Sequence, residues 1–492
     1  MESTGDHPIP VDDAAASEGA WTTRSTPYGP PAMAALRAAV DFAKAGRPLT
    51  AVTVVVPSNS VGVAARRWLA ANGGVIAVQF VTAYRLAELL GGPQLVGAGR
   101  RPVSTPVVDV AVSRALAQHP GMFAPVARHH ATVSALRDLH RELRHLPEST
   151  VQRMAIVGSA RAREVIRVHR DVTRQLSTSW FDEADLLHTA RAQAHTHHAA
   201  TIVFLPQHLR PTEQALLEEL SRTNLVHFIN GAAEEMATGS IEVVDVSDAD
   251  EEAVEAVRQI IAATRAGTQL ERIAVVWPTA DPYARLITEH LDEAGITWNG
   301  RPGTVLHERL AARLLLDVLN IDRRGIRRAE LFAVLAHVRP WRGDGTQVPV
   351  QRWERLSREA GVATDADWGS RLIRFGAHLQ SLPNRTDDAV AVTQLGDFVA
   401  DLRATLGPPG QPASWRHWAE MCDELLTRWL GGHRRIARLP AAESAAYGLV
   451  QGAIDRLAQL DEIDGDVTRQ VFLDALAAEL DAAPRRVGRI GR

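Results

Sequence analysis

Two rhythms of apolar and polar positions divide this chain. Short continuous apolar runs stand at 51–56 (AVTVVV), 75–80 (VIAVQF), 200–207 (ATIVFLPQ) and 224–231 (NLVHFING). Runs this short, rich in β-branched residues and bounded by turn residues, read as strands buried on both faces. Between them apolar residues recur at helical spacing, as in VGVAARRWLAANGG, YRLAELLGG and PTEQALLEELS, the last beginning at Pro211. Residues 26–46 read as a loop followed by a helix that Gly46 closes. Strands alternating with helices predict βαβ units and a parallel sheet.

From 105 to 198 the strand rhythm is absent and only helices are predicted, with Arg and His on their exposed faces. An α/β domain made of 21–104 plus 199–238 is therefore interrupted by a helical insertion at 105–198. A second α/β segment, 239–322, offers three candidate strands, SIEVVDVSD, ERIAVVWP and ITWNG. Its helices are DADEEAVEAVRQIIAATRAG, with acids in the first turn and Arg265 and Gly267 at the end, DPYARLITEHLDEAG, closed by Gly295, and HERLAARLLLDVLNID. That is few strands for a stable sheet, so partner strands are lent from elsewhere or the chain is a fragment. Residues 323–492 read as mainly helical, with LGPPGQP (406–412) as a linker. Residues 1–20 are acidic and Pro/Ala-rich and read as a disordered tail.

Composition narrows the chemistry. The chain has 492 residues and a formal net charge of −4, so any nucleic-acid contact must come from a local patch. One cysteine, Cys422, excludes a disulfide framework, a Cys-based zinc site and a four-thiolate iron–sulfur cluster. Among 54 basic residues Lys44 is the only lysine, at the end of the first helix, where a cation suits the helix dipole. No apolar run approaches the ~20 residues of a membrane helix, and the N-terminus lacks a signal-peptide pattern. A soluble cytoplasmic chain without cofactor, metal or membrane partner is expected.

Several short patterns admit two readings. Ser58, Asn59 and Ser60 follow a parallel strand and open a helix, where α/β sheets bind ligands; they also suit a plain N-cap cluster. Asp182 and Asp185 in WFDEADLL form either a metal pair or, as the first-turn acids imply, a helix cap. His195, His197 and His198 are spaced so that a helix end disperses them, and His140 and His145 lie five apart, off one face. Trp341, Arg342, Arg352, Trp353, Trp368, Arg371, Trp415, Arg416 and Trp418 interleave aromatics and cations. They fit a stacking surface for single-stranded DNA, a partner interface, or the core of a helical domain. RRGIRR (323–328) is a basic turn, by default a solvated loop.

The order of these blocks resembles the nested layout of superfamily 1 helicases, and the local words resemble the AddB/RexB-type subunit of the AddAB helicase–nuclease. AVTVVVPSNSVGVAARRWLA is similar to the βα unit following that family's phosphate loop, VQFVTAYRLAELL to its next unit, and WFDEADLL to the segment before its Walker B strand. The stretch from DADEEAVEAV to ITWNG is similar to the start of the second motor domain. The likeness spans about residues 24–320. It implies a RecA-like sheet with a helical insertion, an incomplete second RecA-like domain and a helical region. It also implies an AddA-type partner and contact with single-stranded DNA through Ser58, Asn59, Ser60, Thr82, Tyr84 and Arg85.

The departures carry as much weight. A phosphate loop needs G-x-x-x-x-G-K-[ST], with backbone N–H groups and a lysine on the phosphates. Here the corresponding segment is RSTPYGPP: Tyr28, Gly29, Pro30 and Pro31 stand in the loop, the prolines have no N–H, and Lys44 is about four helical turns away. At the Walker B position VFLPQHL places Leu205 and Pro206 where acids would hold Mg²⁺. Full-length members of the family continue into a nuclease domain, whose lysine-bearing motif cannot be written with Lys44 alone. The implied function is a catalytically inactive, helicase-like scaffold in double-strand-break repair. The rivals are a two-Rossmann-domain small-molecule enzyme, such as a nucleotide-sugar transferase, and a pure protein-interaction scaffold.

Overall fold

The computed structural model describes residues 21–232, 241–279, 282–298, 306–321, 325–338, 340–341, 346–408 and 410–482. The disordered-tail expectation at 1–20, Arg342, and Arg323 and Arg324 of the basic turn fall outside them. The chain divides into two compact units, one comprising residues up to 103 with 111–241, the other 104–110 with 242 onward.

The first unit is built on five parallel strands: β1 (Trp21–Pro27), β2 (Val52–Val55), β3 (Val78–Val81), β6 (Ala200–Phe204) and β7 (Val226–Ala232). Their spatial order is β1-β7-β6-β2-β3. Interposed are α1 (Pro30–Lys44), α2 (Asn59–Ala71), α3 (Ala83–Gly97), α8 (Glu183–Ala192) and α9 (Pro211–Ser221). Side-chain alternation along the strands sorts the core into two layers. Val52, Val54, Ile202, Phe204 and Ile229 meet α1 and α2 through Leu36, Val40, Ala65 and Leu69. Val55, Val81, Val203, Val226 and Phe228 meet the other layer through Leu86, Leu95, Leu186, Leu187, Leu216 and Leu220. The result is a three-layer α/β unit, as the alternation of strands and helices predicts.

Two assignments change. β1 falls where a loop was expected from residue 26 and where nothing apolar marks a strand. It is an edge strand of sequence WTTRSTP, with Thr22 through Ser25 exposed, and it gains its place by in-register pairing with β7. The block 105–198 does supply helices, α4 (Thr105–Gln118), α5 (His130–Arg144), α6 (Glu148–Val157) and α7 (Ala160–Leu176), and it also holds β5 (Trp180–Phe181), which pairs with β4 (Arg101–Pro102). Its last helix, α8, covers the sheet. Periodicity identifies a helix but not the surface it packs on. Here Gly91 of α3 lets the two backbones meet: a Cβ there would lie 2.8 Å from Ala190 N and from Leu186 O.

In the second unit α10 (Ala249–Arg265) and α11 (Tyr283–Glu293) pack through Val257, Ile260, Leu286, Ile287 and Leu291. Asp248 caps α10, accepting from the Asp250 and Glu251 N–H groups. Ile273, Val275, Trp277, Ile296 and Trp298 lie against this pair, yet the expected strands around 241–246, 273–277 and 296–298 form no ladder among the described residues. The rest is helical: α12 (Leu310–Leu319), α13 (Arg328–His337), α14 (Val350–Glu359), α15 (Asp367–Gln380), α16 (Thr386–Leu406), α17 (Trp415–Leu430), α18 (His433–Ile436), α19 (Ala441–Ala458) and α20 (Arg469–Ala482). No described helix is long and apolar enough to cross a membrane.

Replacing Gly91 by Val should force α3 and α8 apart and cost about 1–3 kcal/mol by urea unfolding. Gly97→Ala, at a glycine with open space around it, should be nearly neutral.

Candidate functional site

In a parallel sheet every strand ends on the same edge, and α/β sheets take their ligands there. At this carboxyl edge the topology gathers Tyr28 to Pro31 after β1, Ser58 to Ser60 after β2, Thr82 to Arg85 after β3, and Leu205 and Pro206 after β6. Thus the sheet brings all the residues expected in contact with a strand of DNA, and those expected to form a degenerate nucleotide loop, to one rim. β7 separates the loop's strand from the strand leading to Leu205.

The loop holds no cradle for a phosphate. Gly29 adopts φ 86° and ψ −137°, a conformation open to glycine, and Pro30 and Pro31 form the first turn of α1. The Tyr28 ring lies over Gly231 of β7, where any Cβ would collide with it. Just after β6 the backbone of Leu205 is left-handed, φ 49°, which strains a residue with a Cβ. Its N–H donates to Ile229 O at 2.8 Å.

Lys44 is committed elsewhere. Its buried ammonium donates to Pro48 O, Thr50 O and Ile76 O at 2.7–2.8 Å, just ahead of β2 and β3. The site is the amino edge, a helix of 15 residues, about 22 Å, from Gly29. Sequence reasoning placed Lys44 at the helix end but missed these three carbonyls, because residues 48, 50 and 76 carry no side-chain signal for them. Arg37 does similar work, donating to Leu69 O, Asn72 O and Gly74 O at the end of α2.

The residues expected to meet DNA behave as follows. Ser58 caps α2, accepting from Val61 N–H at 3.3 Å, and Thr82 caps α3, accepting from Arg85 N–H at 3.2 Å. Asn59 and Ser60 are exposed on the first turn of α2. Arg85 forms an exposed pair with Glu88 at 2.5 Å, one helical turn away. Tyr84 is half-exposed; partial burial, then Glu88 and Glu183, raise its phenol pKa. Nearby, Arg210 is shared between Glu183 at 2.9 Å and His145 at 3.0 Å. The rim is polar, and its charges come largely in pairs.

The metal-like patterns resolve into structure. Asp182 and Asp185 form a reciprocal capping box on α8, held by Arg144 at 2.5 and 2.7 Å and by Arg100 at 2.9 Å. Burial opposes the charged form of Asp182, but Arg144, the Asp185 N–H and His140 together hold its carboxyl below the usual range. His145 bonds Thr212 and Arg210, whereas His140 lies against His169 of α7, the rings tilted by 46° with centroids 4.8 Å apart. His195 bonds Ala192 O and His197 bonds Thr201. No group of three or more His, Cys, Asp or Glu among the described residues is placed to hold a metal.

The tryptophans also fall on the core side of their alternatives. Trp353, Trp368, Trp415 and Trp418 are buried; Trp368 donates to Ile326 O and Trp418 to Val467 O. Arg352 pairs with Asp388 and Arg371 with Asp367, Arg416 is exposed, and Trp341 lies under the Arg435 guanidinium. Cys422 is buried, which raises its thiol pKa and keeps it protonated.

No protein-family model matches this chain, and no curated protein matches it.

Lys44→Met should destabilise the first unit by roughly 2–4 kcal/mol in urea unfolding, because three carbonyls lose a charged donor. Lys44→Arg should restore little of this, since a planar guanidinium cannot reproduce the tripod. Burial and charged neighbours depress the pKa values of His140 to about 3 and His169 to about 4. Both bind protons more readily unfolded, near pH 6.5. The pair is therefore tolerated fully above about pH 6.5, and stability falls as pH drops from there toward 3. A thermal-unfolding series should show that fall, and His140→Phe should flatten it.

Proposed function

We propose that this chain is a helicase-like scaffold of an AddAB-type break-repair complex. It guides single-stranded DNA beside an AddA-type partner that hydrolyses ATP. In this reading the five-stranded sheet is a RecA-like body that has kept its shape and given up its nucleotide. The Tyr28 ring over Gly231 carries the reading: a side chain of the chain itself occupies the end of β7, between the two strands that would frame a nucleotide. Its surroundings agree. The loop prolines offer no N–H, Leu205 and Pro206 offer no carboxylate for Mg²⁺, and the lone lysine is held at the opposite edge.

Asn59, Ser60, Tyr84 and Arg85 remain as an exposed polar and aromatic rim for a passing strand. Because Glu88 neutralises Arg85, the affinity supplied by charge alone is small. That pairing also favours the second reading, an interaction scaffold that touches no DNA.

Fluorescence anisotropy with a labelled oligothymidylate separates the two. Scaffold guidance predicts weak binding at low salt that declines as salt rises, with Arg85→Glu reducing the magnitude of the log–log salt slope by about 0.7. Absence of binding at every salt concentration favours the interaction scaffold. A coupled assay should detect no ATP hydrolysis with or without DNA. Hydrolysis that is abolished by a substitution within residues 26–31 would contradict the proposal.

A further inference from the structure

We infer that Tyr28 is a stacking platform for a nucleobase, assembled by folding the loop after β1 across the backbone of Gly231. The inference rests on the strand-guiding reading and extends it to a specific contact. Thr26 and Pro27 lie in register with Gly231 and Ala232, so Tyr28 is the first residue free to turn over the neighbouring strand. Its ring rests where any side chain at 231 would clash, which makes a glycine on β7 the condition for the arrangement. Even so, Tyr28 is 58 % exposed, so much of its aromatic surface faces water.

The mounting is stiff. Pro27 precedes the tyrosine, Gly29 holds a conformation other residues avoid, and Pro30 and Pro31 start α1. Proline limits the backbone freedom that would be lost on binding. A ring of this kind, surrounded by imino acids in place of N–H donors, recognises a π-face and not a phosphate. Every base has such a face, so the contact is indifferent to sequence.

Tyr84, the other exposed tyrosine of the rim, is a poorer candidate. Less of its ring is open to water than at Tyr28, and it opens a helix beside the Arg85–Glu88 pair with no proline-bound loop to mount it. It also lies off the far strand β3, about 19 Å from β1 across four strand spacings, too far to sandwich the same base. The base recognised by Tyr28 belongs either to a single strand or to a free nucleotide.

Tyr28→Phe and Tyr28→Leu should be compared by anisotropy on an oligothymidylate and by titration with AMP, with thermal midpoints confirming the fold. In parallel, a bromodeoxyuridine-substituted oligonucleotide should be photo-crosslinked to the unaltered chain and the adduct mapped by mass spectrometry. The expected result is a crosslink at Tyr28, unchanged affinity in Tyr28→Phe, and about a tenfold loss in Tyr28→Leu. DNA binding that is unchanged in Tyr28→Leu, with no crosslink at Tyr28, overturns the platform and leaves strand guidance standing. Tyr28-dependent binding of AMP without binding of DNA keeps the platform, makes a free nucleotide its source, and overturns strand guidance. Binding of neither overturns both.

Discussion

The ammonium of Lys44 and the three carbonyls around it set the terms for the first unit. Pro48, Thr50 and Ile76 carbonyls converge at the amino edge of the sheet, just before β2 and β3 begin. A buried ammonium without partners is costly, and the three carbonyls satisfy all of its donors at once. In a chain with a single lysine, that commitment has a chemical consequence. The chain's one ammonium is fixed at the carboxyl end of α1, while Tyr28 to Pro31 stand at the other end.

The carboxyl edge is equally poor in phosphate-binding groups. Pro30 and Pro31 offer no N–H donor, Leu205 and Pro206 no carboxylate, and the Tyr28 ring fills space above Gly231. Together these residues make a rim that is aromatic and polar, with few groups that would seek a phosphate. The strained backbone at Leu205 is held by its hydrogen bond to Ile229 and by apolar packing below.

How much of this was legible in the sequence depended on whether the signal was local. β2 and β6 announce themselves as apolar runs because central parallel strands are buried on both faces. The runs at the edge strand β3 and in β7 carry the same β-branched and aromatic residues with partial burial. β1 carries Thr, Arg and Ser and is defined only by the strand beside it, which lies 205 residues away. Helix caps at Ser58 and Asp182 follow from their residue types and positions, whereas the cap at Thr82 was not expected. The packing of α8 on α3, which depends on Gly91, does not, since periodicity cannot name a helix's neighbour. For the same reason the absence of phosphate ligands was readable residue by residue, whereas the tyrosine over Gly231 required the fold.

The central claim is that the carboxyl edge is blind to phosphate. Isothermal titration comparing AMP with ATP, each in excess Mg²⁺, tests it most directly. The account predicts that the added phosphates confer no gain in affinity. ATP binding a hundredfold tighter than AMP, about 2.7 kcal/mol, would contradict it.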